Sequence, residues 1–242
     1  AEVPLATVLH QQSRHGQALV ASAVSDGAGW VLTDFHLHDG FSHFLLLDNG
    51  FTPRQAGRIA QRLVEIETYR VMALLAFPVA KEVGRLVSRA EDELADLMDG
   101  MGQSRTAEDD RAVLTRLSRL AADVERSVAR TSFRFGAAAA YYRLVRQRID
   151  DLREQRLPGY SPIGEFMDRR LVPAIDTCTS IARRQDDLSG RIARNSQLLR
   201  TRVDVEIERQ NQELLAQMNR RARIQLHLQE TVEGLSVVAI TY

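Results

Sequence analysis

The chain has one cysteine, Cys178, and one lysine, Lys81, among its 242 residues. A lone cysteine forms no intrachain disulfide, which points to a reducing compartment and makes the cytoplasm the default. Charge of neither sign is in excess: 32 Lys+Arg stand against 32 Asp+Glu, so the basic field of a dedicated nucleic-acid binder is missing. Nucleic acid is therefore not an expected partner. Long apolar runs are missing too, since the closest, Val71 to Ala80, is short and carries Pro78, whereas a spanning helix needs roughly 18 apolar residues in a row. Ala1 to Gln12 has neither the basic nor the apolar region of a signal peptide, and the first residue is not Met, so the chain is expected to begin inside a longer protein. The dominance of arginine over lysine reflects a GC-rich bacterial genome better than a binding role.

Catalytic motifs are equally scarce. Gly27 and Gly29 sit in a turn signal with no helix pattern behind them, so they form no phosphate loop. No Gly-x-Ser-x-Gly elbow is present. Cys178 lies inside a helical pattern and its nearest histidine in sequence is His227, so packing is expected rather than nucleophilic catalysis. Metal-ligand residue types crowd together only around Asp34, His36 and His38. On a strand these three would share one side, as the ligands of one zinc would. The same spacing suits a solvated strand face beside a hairpin turn, and such a face is expected. No enzyme class, cofactor or resident metal is expected.

What the chain does contain is a short β-prone region followed by long helical patterns. Apolar runs at Ala18 to Ser25, Trp30 to His38 and Ser42 to Asp48 are separated by turn signals that include Asp26-Gly27 and Asp39-Gly40, which predicts a three-strand antiparallel meander. Thr52, Pro53 and Gln55 form a helix start with a capping box. Its helix is expected to be kinked or interrupted by Pro78, to resume over Val79 to Met98, and to end in a glycine-containing loop at Asp99 to Gln103. Thr106 with Asp109 starts a third pattern that can run as far as Arg156, and Pro158-Gly159 then turns the chain. Ser161 reads as the N-cap of a final helix continuing to about Glu233 with a bend near Pro173. The fold class expected is α+β, mostly α: residues 1–50 hold a small β-meander that ends a larger N-terminal α/β portion, and residues 51–242 hold a bundle of three long helices, the last a stalk.

Within the helix that Thr52 starts, Glu65, Tyr69 and Arg70 lie on adjoining helix surfaces. Arg70 falls in an otherwise apolar stripe, so a carboxylate from another helix is expected to meet it in a structural ion pair. Along the last helix, Leu188, Ile192, Leu199, Val203, Ile207, Leu214 and Met218 advance by fours and sevens, the signature of a packing seam, with Asn195 and Gln210 interrupting it. Arg220, Arg221 and Arg223 precede an uncharged ending, Gly234 to Tyr242, an order that suggests a stalk running into a membrane span beyond Tyr242.

Several runs together resemble an uncharacterised bacterial family described as predicted membrane-anchored proteins. These are Thr33 to Phe35, Gln61 to Arg70, Gly159-Tyr160 with Glu165-Phe166 and Arg169-Arg170, and the stretch from Leu198 through Gln225 to Tyr242. The resemblance implies a water-facing part followed by one or two membrane helices, and it carries no reaction or catalytic residue. The order of parts also looks like that of CorA-type magnesium channels, by architecture alone. The expected role is a non-enzymatic scaffold or self-association module on the cytoplasmic side of the inner membrane, with a second copy or another protein as partner. The alternative is the soluble funnel of a CorA-like channel or transporter.

Overall fold

The structure is a computed structural model that describes residues 19–103 and 106–240, with only the backbone at 102, 103, 107 and 226–240. Thr241, Tyr242 and the first part of the 1–50 segment lie outside it. In chain order the elements are strands β1 (Val20–Val24), β2 (Gly29–Thr33), β3 (Leu37–His38), β4 (Phe41–Ser42) and β5 (Leu45–Asp48), helices α1 (Pro53–Leu74), α2 (Ala76–Gln103) and α3 (Ala107–Leu152), strand β6 (Gln155–Arg156), and helices α4 (Ile163–Arg170) and α5 (Val172–Ile240). The fold is α+β and mostly helical, a small antiparallel sheet followed by long helices.

The expected meander is present as β1-β2-β5, with Val20 opposite Thr33 and Trp30 opposite Leu47. β6 then joins the free edge of β1 to complete the order β5-β2-β1-β6. The expected second strand, Trp30 to His38, is cut short at Thr33 because Phe35 takes a left-handed φ of 54°. The residues beyond it form a separate small hairpin, β3-β4, whose two-residue turn Asp39-Gly40 has positive φ at both positions, as a type I′ turn requires. Every residue of β1 is buried. Ala21 and Leu32 pack with Trp30, Leu47 and Tyr160 on one face, while Val20, Ser22 and Val24, alternating with Ala21 and Ala23, point to the other.

Helix boundaries follow local chemistry. Thr52 caps α1 in a full capping box with Gln55. The interruption assigned to Pro78 falls at Leu75, because the proline ring clashes with the carbonyl four residues back, that of Leu74, where α1 ends. Pro78 itself sits in the first turn of α2, where its missing N–H is not needed. Asp99 to Gln103, expected as a loop, is the last turn of α2. Neighbouring helical residues override two isolated glycines there. Thr106 and Asp109 cap α3 reciprocally, the Asp109 N–H donating to Thr106 Oγ1 at 3.1 Å and the Thr106 N–H to Asp109 Oδ2 at 3.2 Å. This helix stops at Leu152, short of the expected Arg156, as Arg153 turns left-handed with φ 50°.

Ser161 is not the expected cap. Pro162 holds that position and has no side-chain acceptor to offer, while the Ser161 hydroxyl accepts from Arg169 Nη2 and the Ser161 carbonyl from the Ala21 N–H at 3.1 Å. The Glu154 carboxylate caps α4 from outside instead, accepting the N–H groups of Ile163 at 2.9 Å and Gly164 at 2.8 Å. The hydroxyl of Ser22, fully buried on β1, donates to the same carboxylate at 2.8 Å. A Cβ on Gly164 would stand 2.8 Å from Glu154 Oε1, so a side chain there would push this capping carboxylate off its amides. One residue, Leu171, separates α4 from α5, two positions before Pro173. The expected bend near that proline is therefore a one-residue break, after which α5 runs for 69 residues.

The chain divides into two compact units, the described parts of Ala1–Arg89 with Glu125–Asp187, and of Ala90–Val124 with Leu188–Tyr242. The first holds the sheet and a core that includes Ile66 of α1, Val145 and Leu152 of α3, and Ile163 and Met167 of α4. The second is purely helical among its described residues and buries Leu94, Leu97, Leu117, Leu188, Ile192 and Leu199. Each such side chain contributes about 1.5–3 kcal/mol relative to exposure. No helix among the described residues is long and apolar enough to cross a membrane.

Candidate functional site

The segment between β2 and β5, residues 34–44, gathers most of the polar chemistry that the sequence singled out. Thr33, the last residue of β2, clips its base: its hydroxyl donates to the His43 carbonyl at 2.8 Å and accepts the Phe35 N–H at 3.2 Å. With Phe35 left-handed, its ring turns inward and is buried. It stacks on Phe166 of α4 at 4.8 Å between centroids and meets the edge of Phe44 at 5.6 Å.

Arg70 of α1 closes this arrangement from the side. Its guanidinium carbon lies 5.5 Å from the Phe35 ring centroid, and Nη2 donates to the Phe35 carbonyl at 3.5 Å. Its carboxylate partner is Glu67 of the same helix rather than a group from another helix: Nε and Nη2 each reach a Glu67 oxygen at 2.7 Å. Three-residue spacing on a helix already places two such side chains together. Ser42 of β4 donates to Glu67 at 2.6 Å, so the pair anchors the segment to α1.

Asp34, His36 and His38 do come together, through a turn and not along a strand. Asp34 Oδ2 lies 2.7 Å from His38 Nε2, Oδ1 accepts the His36 N–H at 2.9 Å, and His36 Nδ1 faces the Asp34 carbonyl at 2.8 Å. Partial burial pushes the Asp34 carboxyl up, but the His36 N–H and the His38 ring outweigh it and hold the group below its ordinary value. The carboxylate is thus engaged with its own neighbours, and among the described residues no group of three or more His, Cys, Asp or Glu side chains is arranged to hold a metal ion.

Glu65 and Tyr69 belong to a different contact, with α3. Arg148 and Arg62 both bond the Glu65 carboxylate, Arg62 at 3.1 Å, and Gln61 adds a bond at 2.8 Å. Burial would raise Glu65, yet these partners keep its carboxyl below the usual range; burial would likewise lower Arg148, and the Glu65 carboxylate holds it above its own. Tyr69 stacks on Tyr141 with centroids 5.9 Å apart. The three candidates therefore split, with Arg70 serving the β2–β5 segment and Glu65 and Tyr69 serving helix pairing. Such arrays position elements and offer no open coordination or nucleophile.

Cys178 is buried in the core of the first unit, and that burial pushes its thiol up. Arg220, Arg221 and Arg223 are exposed on α5. Periodicity did not reveal Asp110 in the second unit, a buried carboxylate whose Oδ2 takes Arg202 Nε at 3.1 Å while Oδ1 has no partner. It lines a hollow of about 430 Å³ with Thr106, Thr201, Arg202 and Arg209. Only its place one helical turn after the Thr106 cap hinted at an inward direction.

No curated protein and no solved structure matches the chain. A family match covers residues 4–242. On that match the chain belongs to the DUF3422 family, described as a protein of unknown function.

Proposed function

We propose that the chain is the cytoplasmic part of a bacterial inner-membrane protein and works without catalysis, as a stalk that associates with a second copy of itself. One observation carries this reading. Along α5 the seam residues Leu188, Ile192, Leu199 and Val203 are buried, Ile207 is half-buried, and Leu214 and Met218 are exposed at 58% and 67%. The apolar row keeps its spacing where the chain's own covering helices stop. From Glu208 to Gln225 every residue is exposed, so this segment lacks the tertiary packing that supplies most helical stability in proteins. A partner helix laid on Leu214 and Met218 continues the seam and stabilises the segment. Gln210 does not break the seam from inside, since it is exposed and donates to Glu206 at 3.0 Å.

Membrane attachment is supported by charge order in the sequence. Arg220, Arg221 and Arg223 come shortly before Gly234 to Tyr242, a stretch without charge, and arginines beside a span favour anionic headgroups and the cytoplasmic side. The test uses Met218→Cys in the native protein, with Cys178, the one thiol of this chain, buried. Rapid disulfide dimerisation at position 218, in protein that stays with the membrane fraction after alkaline washing, supports the reading. A monomer that washes off removes it.

A further inference from the structure

In the first unit, α2 and α5 face each other across a groove of about 720 Å³. On α2, Lys81, Arg85 and Arg89 follow one another at four-residue steps along an exposed face. On α5, Thr177, Ile181 and Arg184 line the opposite wall. Gly84 allows the two helices this close, since a Cβ there would sit 3.1 Å from Ile181 Cδ1.

No carboxylate lines the groove. Among the described residues none comes within ion-pairing distance of Lys81, Arg85 or Arg89, although Arg62, Arg70, Arg130 and Arg148 all have such partners. Glu82, beside Lys81 in sequence, is turned away to Arg130 at 3.1 Å. Like charges four apart on a helix repel, so this row is held at a cost that a bound anion would relieve. The donors are already shaped for one. Arg184 Nη2 donates to Ser88 Oγ at 2.9 Å, which leaves the Ser88 hydroxyl proton free to donate outward. Arg89 Nε is tied to the Arg85 carbonyl at 3.3 Å, and the Lys81 ammonium rests 4.4 Å from the Phe77 ring centroid. Guanidinium groups present paired N–H donors that match phosphate oxygens, and several cations around one hollow exceed what a single carboxylate would neutralise.

We propose that this groove binds a multiply charged phosphate group, carried by a free phosphorylated molecule or by a lipid headgroup. Calorimetric titration with inorganic pyrophosphate and co-sedimentation with phosphatidylcholine vesicles, with and without phosphatidic acid, whose phosphomonoester can carry two charges, separate the two sources. Each is run on the wild type, on the double variant Arg85→Gln/Arg89→Gln, and on Arg183→Gln, an exposed arginine outside the groove. Saturable pyrophosphate binding at one per chain, at least tenfold weaker in the double variant and unchanged in Arg183→Gln, supports a free phosphorylated ligand. Sedimentation only with anionic vesicles, lost in the double variant alone, supports a headgroup. If the double variant melts differently from wild type, Lys81→Gln replaces it, with at least a threefold loss expected. The proposal is overturned if the groove variants and Arg183→Gln behave alike with both probes.

Discussion

Two stretches of α5 are built from the same helix-forming residues and are held in different ways. From Ala174 to Val203 the helix buries a residue at nearly every turn, among them Ile175, Cys178, Ile181, Leu188, Ile192 and Leu199. From Glu208 to Gln225 it buries none. Side chains along the helix itself support the second stretch: Arg209 reaches Glu206 at 2.7 Å and also pairs with Glu213, and Gln212 reaches Glu208 at 3.1 Å. Secondary structure is thus a poor guide to which part of a long helix is stabilised by its own chain. The covered stretch owes its order to packing, and the bare one to propensity and local pairs until a partner covers it.

The largest expected effect tests that contrast directly. Leu199→Ala removes a fully buried side chain and is expected to cost about 2–5 kcal/mol. Leu214→Ala, exposed in the monomer, is expected to stay within about 0.5 kcal/mol at low protein concentration. Denaturant unfolding followed by circular dichroism measures both, and equal losses would break the comparison. A step down in size comes Glu154→Ala, which strips the acceptor from the Ile163 and Gly164 amides and the Ser22 hydroxyl. A loss of about 1–3 kcal/mol is expected, with α4 amides exchanging faster by hydrogen exchange.

Acid sharpens the contrast at both ends. The folded Asp34 carboxyl lies below its ordinary value. Its support is therefore complete above the unfolded value, near pH 4, and is lost as pH falls through the folded one. Asp34→Asn should flatten this part of the acid-unfolding curve, and an unchanged curve would detach Asp34 from stability. The smallest effect is at Glu206, where the Arg209 bond lowers the carboxyl from 4.5 to about 2. By the same sign its contribution is present above pH 4.5 and fades toward pH 2. Arg209→Ala should return the Glu206 carboxyl resonance to an ordinary titration in an NMR experiment while leaving the melting midpoint almost unmoved.

What the sequence made legible was local chemistry. Thr52 with Gln55, Thr106 with Asp109, the prolines at 78 and 173 and the Asp39-Gly40 turn act within a few residues, and each marks its boundary in the structure. What stayed hidden depends on partners distant in sequence or on one backbone angle. Ser161 has the side chain of a cap, but Glu154 reaches the helix start first. Phe35 looks like a strand residue until its left-handed turn brings Asp34, His36 and His38 together by another route. Arg70 was expected to need a foreign carboxylate although Glu67 stands three residues before it. The basic groove had one visible sign, the four-residue spacing of Lys81, Arg85 and Arg89, and its other wall lies about a hundred positions away on α5.

The pairing of β6 with β1 has a consequence for synthesis. Ser22 waits for Arg156 across the whole of α1, α2 and α3. At ribosomal speeds of about 5–20 residues per second, that interval lasts roughly 7–27 s. Throughout it the meander carries an open hydrogen-bonding edge, the kind that invites pairing with another chain. The nascent protein thus passes through a window in which its most buried strand is its most vulnerable one, and a brake on translation between residues 50 and 150 would lengthen that window.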